Sequence, residues 1–353
     1  MSENTNTLNW DFYNNLSTDE KRNFISQLPH TLISQQFKRS QIDELCKLSS
    51  KIRSISKTKK GADFLKSILS DKRAMLYFAQ PSSRTYLSFN AACQILGLDT
   101  MDVRDSKTSS EIKGETPEDT VRTFSSYVDL IIMRHPEGGF AEKVAIMLSS
   151  TNREIPVINA GSGADQHPTQ ALLDIYTLER SFEDKGGIDN KTILFSGDLK
   201  RGRTVRSLSL LLTLYDNINI IFSAPKELQI KSDILKLLDK ANVNYFLTEE
   251  FNDYLSKTDA VYMTRLQDEW DIDDDSQKID RKHFQLDHTN LAKLKKDAII
   301  MHPLPRREEI STSIDNSPKA MYWRQMRNGM WIRAALIIKT FGRENYIYDW
   351  ENI

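Results

Sequence analysis

The sequence repeatedly places anion-binding groups just after short apolar runs. Ser82-Ser83-Arg84-Thr85 follows the run at residues 74–78, Arg134-His135-Pro136 the run at 129–133, and Gln166-His167-Pro168-Thr169-Gln170 comes after the run at 156–159. A second set follows later: residues 197–204 after 192–195, Thr264-Arg265-Leu266-Gln267 after 259–263, and His302-Pro303-Leu304-Pro305-Arg306 after 298–301. At Ser82–Thr85 a run turns into a helical pattern. Free backbone N–H groups at a helix start attract anions, and hydroxyls add donors. An arginine there offers a planar fork for phosphate oxygens. Taken alone, the same four residues are also an ordinary hydroxyl cap with a solvated arginine.

The other groups have bland readings too. A lone histidine is more often structural than catalytic, and Arg203 or Arg265 alone would be surface ion pairs worth little. Arginines gathered at the edges of two sheets instead suggest a multiply anionic ligand held between two domains. Gly197, Gly202, Arg203 and Thr204 nearly match a nucleotide-binding loop, but Arg203 stands where that loop needs a lysine. His135, His167, His283, His288 and His302 lack the spacing of a zinc site. No Ser–His–Asp or Cys–His arrangement is present, so the donors are aimed at negative charge that already exists.

These groups need strands and helices to hold them. Residues 74–78, 129–133, 156–159, 192–195, 218–222, 259–263 and 298–301 read as buried strands. Between them come helical patterns. One has Tyr86, Phe89, Cys93 and Leu96 on a face closed by Gly97, another covers 169–180 behind Pro168, and a third carries Val205, Leu208, Leu211, Leu212 and Tyr215. Strand and helix alternating twice predicts two α/β domains, each a parallel sheet flanked by helices. In such sheets ligands bind beyond the carboxyl ends of the strands, which is where the anion-binding residues fall. Residues 1–29 are polar and irregular, and are expected outside the main fold, with a short surface helix around 19–28 as the alternative.

Composition narrows the class. At 353 residues the chain suits about two domains. Lys plus Arg number 48 against 49 Asp plus Glu, a balance that argues against a nucleic-acid binder or a polybasic membrane anchor. The two cysteines, Cys46 and Cys93, exclude a disulfide framework and suit a reducing compartment. The first ten residues lack an apolar signal core, and no apolar run reaches the ~18 residues of a membrane span. The expected location is cytoplasmic.

Seven motifs in order carry a family resemblance. They are Ser82-Ser83-Arg84-Thr85, Lys113-Gly114-Glu115-Thr116, Met133-Arg134-His135-Pro136, Gln166-His167-Pro168-Thr169-Gln170, residues 197–205, Met263-Thr264-Arg265-Leu266-Gln267 and His302-Pro303-Leu304-Pro305-Arg306. Over residues 30 to 340 the chain resembles the aspartate/ornithine carbamoyltransferase family, on its aspartate side. The resemblance implies transfer of a carbamoyl group from carbamoyl phosphate to the amine of L-aspartate, the committed step toward pyrimidines, with no cofactor and no metal. It implies that Ser82, Ser83, Arg84 and Thr85 bind the phosphate. Arg134, His167 and Thr85 would hold the carbamoyl oxygen, and Gln170 with the Leu304 and Pro305 backbone the carbamoyl NH2. Arg203 would take the α-carboxylate of aspartate, and Arg265 with Gln267 its side-chain carboxylate. Catalysis would fall to Arg84, Thr85, Arg134 and His167. Ser109 and Lys113 would reach the site, and the aspartate, from a neighbouring subunit of a homotrimer, alone or within a larger assembly with regulatory or other pyrimidine-pathway chains. The implied division is an extension at 1–29, a carbamoyl-phosphate domain at 30–168 joined by a C-terminal helix at 322–345, and an aspartate domain at 169–321.

The chain departs from the family pattern in places. Ser83 and Tyr86 stand where Thr and Arg are usual, and Asn90 where Glu is common, so a helical i,i+4 ion pair is lost as a unit. Gln80 replaces a carboxylate and Trp270 an arginine, which puts the family's mode of domain closure in doubt. An ornithine site should offer a carboxylate and a His-Cys-Leu-Pro motif. Here Pro303 replaces that cysteine and Arg265 favours an anionic second substrate. A catalytically silent homologue acting as a binding partner is the remaining alternative.

Overall fold

The computed structural model describes residues 9–104, 114–163, 166–266 and 284–352. The chain divides into two units, one of residues 1–169 with 329–353 and the other of 170–328.

In the first unit, four parallel strands lie in the order β2-β1-β3-β4: β1 (Arg73–Phe78), β2 (Asp99–Val103), β3 (Leu130–His135) and β4 (Val157–Ser162). β1, β3 and β4 are apolar because both faces of the sheet are covered. The helices are α1 (Trp10–Asn15), α2 (Thr18–Ile25), α3 (Arg39–Ile55), α4 (Lys59–Ser67), α5 (Ser83–Leu96), α6 (Pro117–Ser125) and α7 (Phe140–Ser149). α5 buries Phe89, Cys93 and Leu96 and ends at Gly97, whose φ of +78° suits the left-handed cap.

The N-terminal residues correct the sequence reading. α1 and α2 are not outside the fold: Tyr13 and Ile25 are buried in the same core as β3 and α7, with Trp10, Leu16 and Phe24 packed on it. Ser17 and Glu20 form a reciprocal capping box that starts α2. Just downstream, Thr31 pairs with Ile158 beside β4, and buried His30 accepts a hydrogen bond from Val157 N at Nδ1 (3.0 Å).

The second unit holds five parallel strands in the order β7-β6-β5-β8-β9: β5 (Thr192–Ser196), β6 (Asn219–Ser223), β7 (Asn244–Thr248), β8 (Ala260–Met263) and β9 (Ile299–Met301). Its helices are α8 (Pro168–Phe182), α9 (Arg203–Leu212), α10 (Ser232–Lys240), α11 (Phe251–Tyr254), α12 (His288–Leu291) and the start of α13 (Tyr322–Thr340). One core gathers Leu194, Val261, Met263, Leu286, Ile300 and Tyr322.

The chain passes to the second unit within α8 and comes back within α13, whose last part belongs with α14 (Glu344–Tyr348) to the first unit. The expected apolar face of the C-terminal helix, Trp331, Ala334, Ala335 and Ile338, is buried. Arg333 lies 4.7 Å from the ring centroid of Phe89, and Arg343 forms a forked ion pair with Asp71 (2.7 and 2.8 Å). No helix among the described residues is long and apolar enough to cross a membrane.

Candidate active site

Both sheets reverse their direction of growth at one place. In the first unit β1 has β2 on one side and β3 on the other, so the crevice opens between β1 and β3. In the second, β5 has β6 and β8 as neighbours, and the crevice opens between β5 and β8. Such switch points are where open parallel sheets bind ligands. Of the residues singled out from sequence, Ser82 to Thr85 and Arg134 lie at the first of these places, and Arg203 and Arg265 at the second.

At the β1/β3 crevice, Gln80 N donates to Arg134 O (3.2 Å), tying the strand ends together. Ser82 is the N-cap of α5, and its Oγ donates to Thr85 Oγ1 (3.0 Å) rather than to the helix backbone. The first-turn N–H groups of α5 therefore receive no side-chain cap from Ser82. Ser83 and Arg84 are exposed and Thr85 is buried. Arg134 is buried, and its Nη1 donates to Ala160 O (3.2 Å). His167, also buried, meets it around Gly161. A Cβ there would stand 2.5 Å from Arg134 Nη1 and 3.5 Å from His167 Cδ2, and Gly161 has φ +120°. His135 is structural, its ring stacked on Phe140 at 4.0 Å with Nδ1 accepting from Glu137 N (3.2 Å).

The family departures at α5 are compensated locally. Tyr86 is buried edge-on to Phe78 at 5.5 Å, and the Arg104 guanidinium lies 4.2 Å from its ring centroid. A cation from the end of β2 thus stands beside the position that lost one. Burial and the neighbouring Asp102 push the Tyr86 phenol pKa up. Asn90 accepts from Thr100 Oγ1 (3.1 Å), joining α5 to β2 without an ion pair.

At the β5/β8 crevice, Thr264 N donates to Ser196 O (2.8 Å) and Thr264 Oγ1 donates to the same oxygen (3.1 Å). Gly197 sits against Thr264, where a Cβ would stand 2.0 Å from the carbonyl oxygen. The following loop folds around buried Asp198, which accepts from Arg201 N (3.0 Å) and Arg201 Nη1 (3.2 Å). That places Arg203 as the first residue of α9. Burial lowers its pKa to about 10, so it stays cationic at neutral pH. Arg265 follows β8, half-buried, its Nη1 donating to Leu266 O (3.1 Å).

A third group in the second unit surrounds Asp174, a fully buried carboxylate on α8. It accepts from Gln170 Nε2 (3.0 Å), Gln325 Nε2 (2.7 Å) and Tyr262 OH (2.8 Å). Burial and the Asp174 charge push the Tyr262 phenol pKa far up, so it remains a donor. Gln325 Oε1 accepts from His302 N (2.9 Å), and His302 Nδ1 accepts from Leu304 N (2.8 Å). His302 Nε2 lies 2.8 Å from Glu309 Oε1. Burial raises the Glu309 pKa, but the hydrogen bonds from His302 and from backbone N–H groups, that of Arg307 among them, go with a carboxyl held below its usual range. Leu304 has φ +54°, a left-handed conformation that costs a branched residue about 1–3 kcal/mol, and the Leu304–Pro305 bond is cis.

Of the expected site residues, Ser109, Lys113 and Gln267 lie outside the described residues, as does Trp270. Sequence reading missed Arg104, Asp174, Tyr262 and Gln325. Only the i,i+4 spacing of Gln170 and Asp174 on one helix face could have signalled the last group. No cluster of His, Cys, Asp or Glu able to hold a metal occurs among the described residues.

The chain matches two family models: residues 30–180 match aspartate/ornithine carbamoyltransferase, carbamoyl-P binding domain, and residues 189–340 match its Asp/Orn binding domain. Among curated relatives, the chloroplastic aspartate carbamoyltransferase of Oryza sativa is 38% identical over 88% of this chain and 84% of its own length. Among solved structures, the catalytic subunit of M. jannaschii aspartate transcarbamoylase is 34% identical, covering 92% of this chain and all of that one, with a TM-score of 0.77. The Trypanosoma cruzi aspartate transcarbamoylase in complex with carbamoyl phosphate is 36% identical over 88% and 95% of the two chains, with a TM-score of 0.79.

Proposed function

We infer the activity from one premise: the chain belongs to the aspartate/ornithine carbamoyltransferase family. It transfers the carbamoyl group of carbamoyl phosphate to L-aspartate, giving N-carbamoyl-L-aspartate and phosphate. The observation that carries the aspartate reading is cationic: Arg203 and Arg265 both stand at the β5/β8 crevice, and Pro303 occupies the position where an ornithine enzyme has cysteine. A dicarboxylate suits these groups and an aliphatic amine does not.

The first unit supplies the groups for carbamoyl phosphate. Ser82, Ser83, Arg84, Thr85 and the N–H groups opening α5 take the phosphate. Arg134, His167 and Thr85 hold the carbamoyl oxygen. The aspartate amine attacks the carbonyl carbon, and the oxygen becomes an oxyanion that these fixed donors stabilise. The C–O bond to phosphate then breaks, and the leaving phosphate accepts the amine proton. No side-chain base is required, and orienting the two bound reactants supplies much of the rate. In the second unit, Gln170 with the Leu304 and Pro305 backbone holds the carbamoyl NH2. Arg203 takes the α-carboxylate, Arg265 and Gln267 the side-chain carboxylate. Ser109 and Lys113 of a neighbouring copy complete the site of a cytoplasmic homotrimer acting in pyrimidine synthesis.

Purified chain given carbamoyl phosphate should carbamoylate aspartate more than about 10²-fold faster than ornithine. Comparable or reversed rates defeat the substrate assignment. Mixing Lys113→Ala with Arg84→Ala subunits should restore activity through hybrid sites. No recovery after verified subunit exchange defeats the shared trimer.

A further inference from the structure

We propose that Asp174 is a positioning residue that orients both holders of the carbamoyl NH2, and so sets selectivity for an amino over a methyl group next to the reacting carbonyl. The inference rests on the reading that Gln170 and the Leu304–Pro305 turn face that NH2.

The chemistry is one of donors and acceptors. A carboxamide has two faces that differ only in which atom donates, and the substrate NH2 needs acceptors. Gln170 must therefore present Oε1 and turn its own NH2 away. Asp174 Oδ1 accepts from Gln170 Nε2 at 3.0 Å, in a fully buried position where a wrongly turned amide would set oxygen against oxygen. The same Oδ1 accepts from Gln325 Nε2 at 2.7 Å, which fixes the second amide in the same sense. Gln325 Oε1 then has to accept, and it takes His302 N at 2.9 Å. His302 Nδ1 takes Leu304 N at 2.8 Å. Tyr262 OH on Oδ2 at 2.8 Å anchors the carboxylate itself. One acceptor-only group thus fixes the sense of two amides: Gln170, assigned to the NH2, and Gln325, which holds the His302 backbone that leads into the Leu304–Pro305 turn.

The test compares carbamoyl phosphate with acetyl phosphate, in which methyl replaces NH2. For each variant the KM for carbamoyl phosphate and the competitive inhibition constant for acetyl phosphate are measured on the full-length enzyme. Asp174→Leu should lose about tenfold or more in preference for carbamoyl phosphate, while acetyl phosphate inhibits nearly as before. Asp174→Asn, which keeps one acceptor oxygen, should recover much of it. Gln325→Met should lose selectivity too, by a smaller factor, because it leaves the Gln170 pair intact. It decides the matter if Asp174→Leu does not fold. Gln170→Leu serves as the reference. If it loses selectivity while the folded Asp174 and Gln325 variants keep the wild-type ratio, the positioning role is overturned and the NH2 assignment stands. If Gln170→Leu keeps the ratio as well, the NH2 assignment itself has failed.

Discussion

At the β1/β3 crevice the crowding falls on side chains: a Cβ on Gly161 would meet the Arg134 guanidinium at 2.5 Å. At the β5/β8 crevice it falls on backbone: a Cβ on Gly197 would meet Thr264 O at 2.0 Å. Gly161 lies near the end of β4 and Gly197 just after β5, and both hold φ above +100°. The first crevice therefore uses its glycine to make room for a functional group, the second to close a strand junction. Similar topology does not imply the same division between chemistry and stability.

The arginines test that comparison with the largest effect. Arg84→Ala removes an exposed cation from the loop proposed to take the phosphate, so it should lower kcat/KM by about 10³-fold with little change in thermal stability. Arg265→Ala should cost about 10²-fold, mainly as a raised KM for aspartate, with carbamoyl phosphate binding retained. If both variants show the same kinetic pattern, the two crevices do not divide the substrates.

The glycines come next. Gly197→Ala must shift backbone and should destabilise by about 4 kcal/mol, read as a lowered unfolding midpoint. Gly161→Ala strains φ by about 1–2 kcal/mol, but the atom it displaces is the end of a side chain. Its main effect should be kinetic, about 10²-fold in kcat from a misplaced Arg134. A Gly161→Ala enzyme with full turnover, or a Gly197→Ala chain of unchanged stability, breaks the contrast.

How far the sequence could be read follows the same physical lines. The central strands were legible because both faces are buried and the residues are uniformly apolar. Two edge strands were not: β2 (Asp-Thr-Met-Asp-Val) and β7 (Asn-Tyr-Phe-Leu-Thr) are largely exposed and carry no such run, whereas β4 and β9, also outermost in their sheets, are buried and were legible. A helix around 19–28 was one of the two readings, and α2 is that helix, but the packing of α1 and α2 on the core was not legible because polar surroundings hide five apolar side chains that meet only in three dimensions. At the site, charged residues at strand ends were visible one by one. Asp174 was not, because a carboxylate inside a helical pattern looks like surface until Tyr262 and Gln325, far along the chain, are brought to it.

Two buried histidines give the smallest and last test. In the second unit His302 Nε2 has a carboxylate, Glu309, at 2.8 Å. In the first, His30 Nε2 has only the Ser149 hydroxyl at 2.8 Å, with the half-exposed Glu154 carboxylate 4.0 Å away, and burial depresses its pKa to about 4. A depressed histidine pKa means that the unfolded chain takes the proton first. The stability His30 contributes is present above pH 6.5 and is lost as pH falls toward 4, by about 3 kcal/mol at most. Protonation at Nδ1 also removes the acceptor for Val157 N, one of the bonds that hold the N-terminal segment on β4. Hydrogen exchange at the Val157 amide should therefore accelerate between pH 6.5 and 4.5 beyond the intrinsic pH trend, and His30→Gln should flatten that excess. If the excess persists in His30→Gln, the acid-sensitive contact of the first unit lies elsewhere.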